Sequence, residues 1–209
     1  MKEVFSEVVY SKNVIEFTTV ALEYCNFVES VDHHSRKEFI SKIQKIFPLL
    51  YLKASLLPAT DDENDEIPEK FVTEDDYNFV LKKILAKIGE FDSYQEIFDQ
   101  KMNDASFDGS IAENITDIYQ DLKDFLLAYR IGTVDVMKAA LLECQTNFEQ
   151  YWGQRLVNGL RAIHNLVYGD ADLDEKPLKP LILKAENDDD EIESNDTLLK
   201  QQFRNYRGE

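Results

Sequence analysis

The sequence predicts an all-α fold, a single helical bundle of about six helices with an acidic C-terminal tail. Apolar residues recur at the 3.6-residue period along most of residues 1–168. Ser or Thr followed three residues later by an acid marks segment starts at Ser35/Glu38, Thr73/Asp76, Ser93/Glu96 and Ser110/Glu113. In such a box the hydroxyl accepts from an unpaired backbone N–H, and the acid faces the positive end of the helix. Only 7 Gly and 5 Pro punctuate 209 residues, too few for the turns of an all-β chain.

The first helix is expected over residues 11–31, with Val14, Phe17, Val20, Ala21, Tyr24, Cys25 and Val28 on one side. A second starts at Ser35 and carries Phe39, Ile43, Ile46, Phe47, Leu50 and Leu57. Pro48 removes a backbone donor and crowds the preceding turn, which predicts a kink or a split near Ile46 and Phe47. PATDDENDEIP, residues 58–68, has no period and reads as a solvated loop. Residues 74–88 form the third helix, with a broad apolar face from Tyr77 to Ile88 and Gly89 as its stop. A short fourth helix is expected over 94–103, followed by the polar turn NDASFDG. The fifth spans 110–131 and ends at Gly132, and Thr133 caps a sixth through Met137, Leu141, Cys144 and Phe148. Gly153 costs about 1 kcal/mol against Ala in a helix interior, so the chain from Thr133 to Tyr168 is one long helix or a bent one. Residues 1–168 make the bundle domain. Residues 169–209, with acid runs, Pro177 and Pro180, make a tail expected to be flexible in isolation.

A net charge of −18 argues against a nucleic-acid surface, which needs clustered Lys and Arg. It suits a cytoplasmic protein whose partner has a basic surface. Cys25 and Cys144 lack CxxC spacing and lie in apolar stripes, as core thiols of a reducing compartment do. Neither a signal peptide nor a membrane span is recognisable, so a cytoplasmic location and no membrane partner are expected. Oligomeric state has no signature.

In NFEQYWGQRLVNGLRAIHNLVY, residues 147–168, Arg155 falls among Phe148, Trp152, Leu156, Gly159, Ile163 and Leu166. A guanidinium keeps its proton, so one placed in an apolar stripe calls for an acidic partner or ligand. Two readings follow. Arg155 with Tyr151, Gln154 and Trp152 lines a cleft for a phosphate or carboxylate, gripped as a bidentate fork. Alternatively it is a structural ion pair, with Asp121 the first candidate partner. Asp117, Asp121 and Asp124 share a helix side at i, i+4 and i+7, a spacing that in nucleotide-hydrolysing bundles holds Mg against facing acids, here Glu16, Glu23 or Glu143. The plainer reading is a solvated face. No Glu-x-x-His, nucleophile elbow or phosphate-binding glycine loop is present, and His33, His34 and His164 have no partner at metal-ligand spacing.

FPLLYLKASLLP at 47–58, DIYQDLKDFLLAYRIG at 117–132 and NFEQYWGQRLVNGLRAIHNL at 147–166 resemble an uncharacterised, mainly Bacteroidetes family, the domain of unknown function 5063. The resemblance implies an all-helical cytoplasmic protein and brings no activity, cofactor or site residue. The leading expectation is therefore a non-enzymatic protein–protein interaction or scaffold module without a cofactor. Its rival is a Mg-dependent hydrolase or a binder of a phosphorylated small molecule, with Arg155 as the anion clamp.

Overall fold

The computed structural model describes residues 7–60, 68–96 and 107–174, all within one compact unit that spans Met1–Glu175. The middle of the acidic loop, most of the expected fourth helix and nearly all of the tail lie outside the described residues.

Among the described residues six α-helices form where the apolar period places them: α1 Lys12–Glu29, α2 Arg36–Ser55, α3 Glu74–Ile88, α4 Ile111–Ile131, α5 Val134–Asn147 and α6 Gly153–Tyr168. The capping boxes at Ser35 and Thr73 close in both directions, and Ser110 accepts from the Glu113 amide at 3.0 Å. Gly89 (φ 63°) and Gly132 (φ 84°) take the positive φ that ends α3 and α4.

Three expectations need correction. α2 is not split at Pro48. The ring stands on the exposed side of the helix, while Phe47 and Leu50 are anchored in the core on either side of it. The face of α3 is narrower than expected, because Val80, Ile84 and Ile88 are buried while Phe79 is 61% exposed. The Ser93 box starts no helix. Ser93–Glu96 is a strand, β1, paired antiparallel with β2, Phe107–Ser110, and Tyr94 lies opposite Gly109. A Cβ at Gly109 would come within 2.6 Å of the Tyr94 ring, so the glycine gives the ring its seat. Asp92 then serves the next helix, its side chain accepting from the Ala112 amide at 2.7 Å.

α5 and α6 form one rod joined by a π-turn, Phe148–Trp152. The wide turn brings the Phe148 carbonyl to 2.4 Å from where a Cβ on residue 153 would stand, so glycine belongs there for space, not as a bend. α4 packs against α1, α3, α5 and α6, and α2 lies across α1 and α6. The core contains Trp152, Tyr24, Phe17, Phe39 and Phe47, all fully buried. The Tyr24 hydroxyl donates to the Ile115 carbonyl at 2.7 Å, which satisfies its one polar atom.

Candidate functional site

The π-turn sets the phase of α6, and that phase decides what Arg155 meets. Its side chain is 36% exposed, and the guanidinium lies 3.7 Å from Asp117, 3.9 Å from Glu96 and 5.3 Å from the centre of the Tyr151 ring. The expected acidic partner therefore exists, but it is Asp117 of α4 together with Glu96 of β1. Asp121 instead accepts from Asn147 Nδ2 at 2.7 Å. Asp117 also accepts from the hydroxyls of Tyr77 (2.8 Å) and Tyr151 (2.7 Å). Burial, and then the bond to Asp117, pushes the Tyr151 phenol up to about 12 and raises Tyr77 as well, so both remain donors at neutral pH. Partial burial works against the charge on Arg155, but Tyr151, Asp117 and Glu96 outweigh it and raise the guanidinium above its ordinary value.

The buried Glu96 carboxylate extends the network. It accepts from the Tyr94 hydroxyl at 2.9 Å and from Asn158 Nδ2 at 3.1 Å, while Asn114 Nδ2 donates to the Tyr94 oxygen at 2.6 Å. Arg161 donates to the Gln95 carbonyl. Arg155, Asn158 and Arg161 thus grip β1 from α6 at steps of three, Asn114 grips it from α4, and Asp117 holds Arg155 from the same helix. Physically this is a clasp that pins the strand pair to two helices. The two carboxylates beside Arg155 already answer its charge, which opposes binding of an added anion.

The other residues singled out in the sequence do not converge on Arg155. Trp152 is fully buried, its indole N–H donating to the Cys144 carbonyl at 3.3 Å, and Gln154 bonds Asn158 at 2.9 Å on the surface. Asp124 accepts from the amides of Phe71 and Val72, each at 2.8 Å, and so straps the segment before α3 onto α4. Asp117, Asp121 and Asp124 thus serve three separate purposes, and no group of three or more metal-ligating side chains occurs among the described residues. The facing acids Glu16 and Glu143 pair with Lys53 (2.6 Å) and Lys70 (2.8 Å).

Two surface features stand apart from the clasp. A groove of about 340 Å³ between α1, α3 and α4 has Val28, Phe71, Val80 and Leu127 in its lining. Its rim is closed by ion pairs, Lys123 with Glu29 at 2.6 Å and Lys83 with Asp32 at 2.6 Å. The second feature is the outer face of α2, where Leu49, Leu52 and Leu56 are 44%, 51% and 46% exposed and Tyr51 stands beside them. Sequence reasoning assigned α2 a single apolar stripe and missed this one. Its signal is present in FPLLYLKASLL, which holds more large apolar residues than one core-facing stripe can use.

The model of the family described as Domain of unknown function (DUF5063) matches residues 8–169, a span containing all six helices. Among solved structures, the chain is similar to the crystal structure of protein BF1032 from Bacteroides fragilis, a structural-genomics target. The two are 41% identical with a TM-score of 0.70, over 78% of this chain and 96% of that one. No curated protein matches the chain.

Proposed function

The chain belongs to the DUF5063 family, whose description assigns no activity, and from its surface we propose that it is a non-enzymatic protein–protein interaction module of the cytoplasm. The observation that carries this reading is the apolar outer face of α2. Leu49, Leu52 and Leu56 each leave about half of their surface in water on a helix whose opposite face already fills the core. Covering them is worth on the order of 1 kcal/mol each. A contiguous stripe of this kind marks a contact surface, whereas isolated exposed leucines carry no such meaning. No helix among the described residues is long and apolar enough to cross a membrane, which leaves a protein partner as the natural cover.

The test is affinity capture from the source cells with the full chain and with Leu52→Glu. The reading expects one defined partner at a fixed stoichiometry, lost in the variant. Two outcomes overturn it: no stoichiometric partner, or a phosphorylated small molecule whose binding raises the melting temperature and is lost in Arg155→Ala.

A further inference from the structure

Resting on that reading, we infer that the outer face of α2 is one half of a two-helix coiled coil, and that its other half is a partner's amphipathic helix with apolar residues facing Leu49, Leu52 and Leu56 and acidic side chains facing Lys42 and Lys45. The outward residues of α2 and its C-cap are Glu38, Lys42, Lys45, Leu49, Leu52 and Leu56, separated by steps of four, three, four, three and four, and all are exposed. Alternating steps of four and three are the a/d spacing by which one helix receives the knobs of another. A sheet edge or a loop has no use for that register. The stripe from Lys42 to Leu56 is about 21 Å long at 1.5 Å per residue, or two heptads.

The seam is also held in place. Lys53 meets Glu16 at 2.6 Å, and Asn13 Nδ2 donates to the Leu56 carbonyl at 2.9 Å, so the leucine half of α2 is tied to α1 before any partner arrives. A fixed helix loses little conformational freedom on docking.

Charge selects the partner. α2 carries Arg36, Lys37, Lys42, Lys45 and Lys53 against the single acid Glu38, in a chain of net charge −18. Glu38 is occupied in its capping box, its carboxylate accepting from the Ser35 amide at 3.0 Å. Lys42 rests over the Phe27 ring at 5.0 Å, and neither Lys42 nor Lys45 has an ion-pair partner among the described residues. The unanswered charges along the seam are therefore positive. Beyond a Debye length of about 8 Å the field of the whole chain is screened, so these local lysines decide the fit at contact. At this face the expectation of a basic partner surface is reversed: the docking helix is acidic. A second copy of this chain fits poorly, because parallel pairing sets Lys42 and Lys45 against themselves.

The experiment uses a synthetic three-heptad peptide with Leu at a and d of two heptads and Glu at a and d of the third, which faces Lys42 and Lys45, titrated against the full chain at 0.15 M salt. A counterpart with Lys in place of those two Glu serves as control. The acidic peptide is expected to bind in spite of the like net charge, to lose binding in Leu52→Glu, and to bind at least ten-fold more weakly to the Lys42→Glu/Lys45→Glu double variant. The basic peptide, set against Lys42 and Lys45, is expected to bind at least ten-fold more weakly than the acidic one. All three substitutions lie on exposed positions, and an unchanged melting temperature checks that each variant is folded. The inference is overturned if the acidic peptide fails to bind, if its binding survives Leu52→Glu, or if sedimentation shows a dimer of the chain that Leu52→Glu dissociates. Failure of the peptide alongside successful Leu52-dependent capture of a protein removes the coiled-coil inference and leaves the interaction reading standing.

Discussion

Asp117 receives two phenol hydroxyls and stands beside a guanidinium while its side chain is 12% exposed, so truncating it takes the acceptor from two phenols and leaves Arg155 with Glu96 alone. Asp117→Ala should cost about 2–3 kcal/mol in urea unfolding, whereas Gln154→Ala, on the surface nearby, should stay within about 0.5 kcal/mol. A small effect at Asp117 contradicts the clasp. Asp121 behaves differently. Burial raises its carboxyl to about 6, with Asn147 and Lys70 acting against the rise and Asp124 and Glu143 adding to it. The folded chain therefore holds a proton that the unfolded chain has released above its ordinary value of about 3.9. The stability from that proton is complete below the ordinary value and is lost as pH rises through about 6. Asp121→Asn, which can still accept from Asn147, should remove this component and exceed the wild type at pH 8 by about 1–3 kcal/mol. Melting curves of both proteins at pH 5 and pH 8 check it, and an equal gap at the two values contradicts it. The helical wheel put Arg155 within the apolar stripe, whereas its side chain is 36% exposed beside Asp117 and Glu96. It could not separate Asp117 from Asp121, which lie one turn apart on a single helix face. Glu96 was out of reach because its element was misread.

That misreading shows what local patterns leave open. Ser93-x-x-Glu96 has the chemistry of a helix start, yet long-range pairing of Tyr94 with Gly109 gives the segment a partner, and tertiary context overrides the box. The six described helices, by contrast, were visible from caps and period, because each buries one stripe against neighbours that demand the same spacing. The junction of α5 and α6 was half visible. Gly153 drew notice as a helix breaker, but its role follows from the π-turn, which no propensity scale signals. Ala for Gly in a helix normally gains about 1 kcal/mol. Here the added methyl meets the Phe148 carbonyl at 2.4 Å and the Phe148 ring at 3.0 Å, so Gly153→Ala should lower stability by about 1–3 kcal/mol. A raised melting temperature in that variant contradicts the packing role.

Across the molecule, the recognisable segments at 47–58, 117–132 and 147–166 identified the family and its helical architecture correctly. Function was less visible, because the two surfaces that matter are distinguished only by what does or does not cover them. Arg155 drew attention as a charge in an apolar stripe, and its neighbours answer that charge from within. The stripe read on α2 left out Leu49, Leu52 and Leu56, and the packing of α1 and α6 leaves them outside. Exposed residues contribute little to the folded state, so Leu52→Glu should change the unfolding free energy by no more than about 0.5 kcal/mol while removing partner binding. The most direct measurement places a photoreactive amino acid at position 52, and separately at position 155, and irradiates the source cells. The interaction reading predicts one discrete protein adduct from position 52 and none from position 155. A partner trapped only at position 155, or no adduct at 52, contradicts it.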